Sequence, residues 1–156
     1  PRAGPGSGVT PMARDLEGFA PYLLNRIMAR YNAGVAETLA PEGVSVPQMR
    51  VLAVLAGDGP RTVNELSVLT VIKQSTLSRT LDSMEAAGLI RREACEQDSR
   101  VRRIHLTDAG AALHARAWPA MREAEERLFA AIPPDERAAF TATLGRILRS
   151  IRHHDF

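Results

Sequence analysis

The chain has 156 residues, 45% hydrophobic and 24% charged, with a formal net charge of +2, which fits one domain or one domain with an oligomerisation appendage. No apolar run approaches the ~18 residues needed to span a bilayer, and no charged-then-apolar leader opens the sequence, so no membrane partner and a cytoplasmic setting are expected. A single cysteine, Cys95, excludes an internal disulfide framework and any multi-thiolate metal site.

Residues 1–14, PRAGPGSGVTPMAR, are rich in Pro and Gly, lack periodicity and read as an N-terminal arm. From Leu16 the residues Phe19, Leu23, Ile27, Tyr31, Val35 and Leu39 recur at helical spacing. Pro21 is tolerated only in a first turn, so the regular helix should start near it. PEGVSVP (41–47) breaks this helix, and a short one follows with Met49, Leu52, Ala53 and Leu55 inward, ending at GDGP (57–60).

Thr62 and Glu65 match a capping box that opens another short helix burying Val63, Leu66 and Leu69. After a turn at 70–72, QSTLSRTLDSMEAAG places Leu77, Leu81 and Met84 on one face and Ser75, Ser78, Arg79 and Asp82 on the other. Gly88 suits the residue after the helix end. LIRREA (89–94) and VRRIHL (101–106) read as two strands of a hairpin with a polar tip. Thr107 or Asp108 should cap a long helix towards Ala131, with a kink or break near Trp118 because Pro119 interrupts it. PPDE (133–136) begins the last helix, whose Phe140, Leu144, Ile147, Leu148 and Ile151 read as a buried stripe.

Two short helices joined by a tight turn and followed by a hairpin outline a winged helix-turn-helix. The predicted fold is therefore mainly α with a small β-hairpin wing, an α+β arrangement of a winged helix-turn-helix domain with further helices at both ends. The exposed face running from Lys73 through Gln74, Ser75, Thr76, Ser78 and Arg79 carries small hydroxyls, an amide and cations. Small side chains let a helix lie close in a major groove, where Gln or Arg reads base edges. Arg91, Arg92, Arg100, Arg102 and Arg103 cluster in the hairpin, and an arginine at its tip can enter a minor groove. Arg100 and Arg102 are expected on one strand face. The competing reading is an ordinary amphipathic helix beside a solvated charge run.

MEAAGLIRRE (84–93), with Asp98-x-Arg100-x5-Leu106-Thr107-x-x-Gly110 after it, resembles the signature of MarR-type transcriptional regulators. LLNRIMARYNAGVAETLAPEGVSVPQMRVLAVLA resembles the first two helices of that family and IPPDERAAFTATLGRIL its last. The resemblance implies a homodimeric regulator, a repressor of a pseudo-palindromic operator in double-stranded DNA, released by a small aromatic or carboxylate effector. It implies DNA contacts from Lys73, Gln74, Ser75, Thr76, Ser78, Arg79, Arg100 and Arg102. It makes Asp98 a structural acid that holds the wing by pairing with a nearby arginine, and Gly110 a close-packing position. The implied domain division is 15–45 for dimerisation, 46–106 for DNA binding and 107–156 for dimerisation again. An effector pocket would lie between the first, second and fifth helices, with Tyr22, Arg26, Arg30 and Met49 as its lining. The alternative leaves those arginines exposed and Met49 in the core.

An enzyme is disfavoured: P-loop, G-x-S-x-G, H-E-x-x-H and G-x-G-x-x-G patterns are missing from the sequence, and no cofactor or metal is expected. His105 and His114 are isolated along the chain, and His153, His154 and Asp155 read as a solvated tail. The remaining alternatives are a redox switch at Cys95, whose thiol Arg91 and Arg92 could acidify, and a helical interaction protein that does not bind DNA.

Overall fold

The computed structural model describes residues 16–95, 98 and 100–156; the predicted arm at 1–14 lies outside them. Six α-helices and three short strands follow in the order α1 (Ala20–Leu39), α2 (Val46–Asp58), β1 (Arg61–Thr62), α3 (Val63–Thr70), α4 (Gln74–Ala86), β2 (Ile90–Ala94), β3 (Arg102–Leu106), α5 (Asp108–Leu128) and α6 (Pro134–Ile151). Pro21 occupies the first turn of α1 as its fixed φ favours. A 3-10 turn, Ala40–Glu42, and Gly43 in the left-handed region (φ 68°) then redirect the chain into α2. Ser45 and Gln48 form a reciprocal capping box there. That box is legible as S-x-x-Q, a signal the sequence reading above passes over.

The core joins α1, α2, α3, α4, α5 and the wing. Val35 and Leu39 of α1 meet Met49, Val51, Leu52 and Leu55 of α2, Leu66 of α3, and Leu77, Leu81 and Met84 of α4. Ile90 and Ile104 carry this core into the hairpin, and Ala117 and Ala124 of α5 close it. On α2, Val51 is buried and Ala53 only half-buried, because the helix is covered on more than one side. Val63 and Leu69 are likewise half-buried at the margin of α3.

The sheet has three strands in the order β1-β3-β2, all antiparallel. The third strand is only Arg61–Thr62, too short to leave a period in the sequence. Gly88 (φ 71°) ends α4 in a Schellman arrangement: its amide returns to the Glu85 carbonyl and the Leu89 amide to the Met84 carbonyl. Thr107 caps α5 by accepting the Gly110 amide and donates its own hydroxyl to the Gly88 carbonyl (2.7 Å), tying the two helix ends together. Gly110 is buried, and a Cβ there would collide with the Leu89 carbonyl and the Leu106 side chain. Close packing is therefore its role.

Two expectations are corrected. α5 is one continuous helix through Pro119, so the break expected there does not occur. The hydrogen bond lost at Pro119 is the one to the carbonyl of Ala115, and both residues are exposed, so the loss falls on the solvent side of the helix. The stripe of α6 is not buried: Phe140, Ile147, Leu148 and Ile151 are 41%, 49%, 63% and 61% exposed. Helix α6 is fastened mainly at its start, where Arg137 bridges to Glu125 and Glu126 (both 2.9 Å) and lies over the Phe129 ring. Leu23, Ile27 and Met28 of α1, and its N-cap residue Phe19, are exposed as well.

Candidate nucleic-acid interface

Helix α3 is anchored by its capping box. The Glu65 carboxylate accepts the Thr62 amide at 2.6 Å, and the Thr62 hydroxyl accepts the Glu65 amide at 3.2 Å. Burial alone would raise the Glu65 carboxyl. The hydrogen bonds with Thr62 and the nearby Arg61 and Arg103 outweigh it and hold the group below its ordinary value. At the turn into α4, Val71 adopts the left-handed region (φ 56°, ψ 43°) and is 82% exposed. A β-branched residue there is strained by about 1–3 kcal/mol. The turn is held by the Val71 and Ile72 amides, which return to the Val68 and Ser67 carbonyls, and by the Ser67 hydroxyl, which donates to the Ile72 carbonyl. Arg50 braces it from behind, donating to the Thr70 carbonyl (3.3 Å) and to Asn32 of α1 (2.9 Å).

Helix α4 buries Leu77, Leu81 and Met84 completely, which fixes its rotation. Lys73, Gln74, Ser75, Thr76, Ser78 and Arg79 are consequently all exposed. Lys73 is the N-cap residue but gives no side-chain cap, so the first amides of α4 keep their hydrogen-bonding capacity. Gln74 donates to the side chain of Asn64 on α3 at 2.8 Å, which links the two helices at the start of α4. Thr76 and Arg79, with Thr80 and Ser83, form one wall of a polar notch of about 310 Å³ whose other wall is Ser45 and Gln48.

In the wing, Ile90 pairs with Leu106, Arg92 with Ile104 and Ala94 with Arg102. Arg100 and Arg102 are both exposed, but Arg100 lies in a turn and only Arg102 is on the strand. The reason is Asp98. Its carboxylate accepts the Arg100 amide (2.9 Å) and its carbonyl accepts the Val101 amide (3.0 Å), so the chain turns there and the ladder begins at Arg102. Asp98 thus holds backbone, and among the described residues it has no ion pair with an arginine.

The sequence reading missed the division of labour among the wing arginines. Arg92 points inward and bridges Glu85 (2.6 Å) and Asp82 (2.7 Å) of α4. Arg91 pairs with Glu93, and His105 Nε2 lies 3.0 Å from the other oxygen of Glu93. Burial, then Arg91 and Arg103, lowers the pKa of His105, and burial lowers that of His114, which packs on Trp118. The acids at 82 and 85, one helical turn apart and ahead of an arginine-bearing strand, were the available signal for the bridge. Cys95 is half-buried at the end of β2, its amide bonded to the Val101 carbonyl.

The four residues named for an effector pocket are not brought together. Arg26 lies over the Tyr22 ring (5.7 Å) and donates to its hydroxyl. Arg26 and Arg30 line a shallow cleft with Leu23, Ile27, Ala29 and Ala33. Arg30 also borders a second cleft, between α1 and α5, with Tyr31, Gly34, Ala124, Arg127 and Leu128. Met49 is fully buried in the core and lines neither.

A helix-turn-helix carrying a three-stranded wing defines the winged helix class, and known proteins agree with it. The MarR family model matches residues 42–101. A MarR family transcriptional regulator from Silicibacter pomeroyi superposes with a TM-score of 0.82 at 45% identity, covering 94% of this chain and 100% of that one. The HTH-type transcriptional repressor IacR of Pseudomonas putida is 28% identical over 138 residues, 88% of this chain and 80% of the relative. An E. coli MarR variant solved with operator DNA shares the fold, with a TM-score of 0.75 at 21% identity over 89% of this chain and 99% of that one. The chain belongs to the MarR family of transcriptional regulators. Among the described residues no helix is long and apolar enough to cross a membrane, and no cluster of three or more metal-ligating side chains occurs.

Proposed function

We propose that the protein is a dimeric, sequence-specific repressor that binds a pseudo-palindromic operator and is released by a small anionic effector. The observation that carries this reading is the rotation of α4. With Leu77, Leu81 and Met84 at zero exposure, the residues left to a major groove are Lys73 to Arg79. Arg100 and Arg102 in the wing are the partners for an adjacent minor groove. Repression is supported by the likeness to IacR. In this reading residues 46–106 are the DNA-binding unit, and 15–45 with 107–156 the dimerisation unit.

A second copy of the chain covers the apolar faces of α1 and α6. Leu23 and Ile27 with the N-cap residue Phe19 on one helix, and Ile147, Leu148 and Ile151 on the other, form stripes that a stable monomer rarely leaves wet. The effector is assigned to the cleft between α1 and α5 bordered by Arg30, where Arg127 supplies a second cation for a carboxylate. Release requires the effector to bind more tightly to a dimer whose reading helices are wrongly spaced.

The test is binding to a duplex that the protein selects from a random-sequence pool. Arg79→Ala should cost about 1–3 kcal/mol and relax selection at one position per half-site. Arg100→Ala should weaken all duplexes similarly and reduce the salt slope by about one. Wild-type behaviour from both variants would remove the assignment.

A further inference from the structure

Arg92 differs from every other wing cation in what it touches. Its guanidinium reaches Glu85 Oε2 at 2.6 Å through Nη1 and Asp82 Oδ1 at 2.7 Å through Nη2. Its own backbone amide donates to the second oxygen of Glu85 at 3.1 Å. Glu85 therefore satisfies an edge-strand amide and a half-buried cation at once, the side chain of Arg92 being 25% exposed. Arginine's planar fork meets two carboxylates one helical turn apart, a geometry that the single ammonium of lysine cannot match. The bridge joins the C-terminal half of α4, whose N-cap and first half bear Lys73 to Arg79, to the strand that leads into the wing tip.

We propose that Arg92 is a positioning residue for DNA recognition: through Asp82 and Glu85 it fixes the wing against the reading helix, so that Arg79 and Arg100 meet one duplex together. Arg92 itself contacts no DNA in this arrangement, and the two acids act with it despite their charge. The inference rests on the proposed DNA-binding function and assigns three further residues to the same site. Its energetic content is a coupling between wing and helix, which a bridge of this kind supplies when its members are removed one at a time.

Electrostatics alone and positioning predict opposite signs for one substitution. Removing a carboxylate beside DNA should strengthen binding if only charge matters. If Glu85 positions the wing, Glu85→Ala should instead weaken the selected duplex by roughly tenfold, and a scrambled duplex by less. The salt slope should fall by at most about one, because the Arg100 contact loosens with the wing.

The full-length protein is used with the wild-type-selected duplex and its scrambled counterpart, and Arg92→Lys and Arg79→Ala are measured alongside. Arg92→Lys keeps the charge, so a phosphate-contacting Arg92 would tolerate it, whereas a positioning Arg92 loses selectivity as Glu85→Ala does. The swap Glu85→Arg with Arg92→Glu should recover part of the selectivity and shows that any loss is not misfolding. Tighter or unchanged binding by Glu85→Ala, with Arg79→Ala impaired, overturns the positioning role and leaves DNA recognition standing. If no duplex is enriched by the wild type, the DNA-binding reading falls, and this inference with it.

Discussion

Helices α4 and α6 carry apolar stripes of the same period but opposite fates. Leu77, Leu81 and Met84 of α4 are fully buried within their own chain, while Ile147, Leu148 and Ile151 of α6 stand between 49% and 63% exposed. The same pattern therefore marks a face to be covered without saying what covers it. In α4 the cover is α2, α3 and the wing, close in sequence. In α6 the chain supplies little beyond the end of α5, and the proposed cover is a second copy.

The largest expected effect comes from the covered stripe. Leu81→Ala should destabilise the fold by about 2–5 kcal/mol, read by chemical denaturation, through lost burial and the cavity left behind. A cost below ~1 kcal/mol would mean that α4 packs less tightly than its zero exposure implies. Gly110→Ala follows at roughly 1–3 kcal/mol, because its methyl meets the Leu89 backbone rather than a movable side chain. Thr107→Ala should cost about 1–2 kcal/mol, since one hydroxyl both caps α5 and holds the Gly88 carbonyl.

On the uncovered stripe the outcome should differ in kind. Leu148→Ala should alter the intrinsic stability of one chain by no more than about 0.5 kcal/mol. Measured by sedimentation, the same substitution should shift the monomer–dimer balance, and its effect on melting should depend on protein concentration. Concentration-independent loss equal to that of Leu81→Ala would erase the contrast. The smallest effect is acidic. The folded-state carboxyl of Glu65 lies below its unfolded value, so its contribution is present above the usual carboxylate range and lost as pH falls through the folded pKa. The melting gap between wild type and Glu65→Gln should therefore close on acidification; a gap that is constant from neutral pH to below the carboxylate range speaks against the capping box.

Much of this architecture was legible because local chemistry was explicit. The Thr62 and Glu65 box, the Gly88 stop, the α4 stripe and the start of α6 at its prolines each rest on a residue whose physics is local. What stayed hidden depended on partners distant in sequence or on exposure. Pro119 signals a kink or a break, yet its lost hydrogen bond falls on the wet side of α5 and the helix does not break. The short β1 has no period to read. Arg92 looked like one more wing cation until its partners on α4 were placed. The exposed residues from Lys73 to Arg79 follow from the α4 stripe, whereas Met49 could be separated from Tyr22, Arg26 and Arg30 only by its burial.

The measurement closest to the central claim is a hydroxyl-radical footprint on a duplex selected by the wild-type protein. A dimer presenting two copies of α4 should protect two symmetric patches, with half-site centres about 34 Å or one helical turn apart. Flanking minor-groove protection should disappear with Arg100→Ala. A single unpaired patch, or protection that does not depend on duplex sequence, would contradict the account.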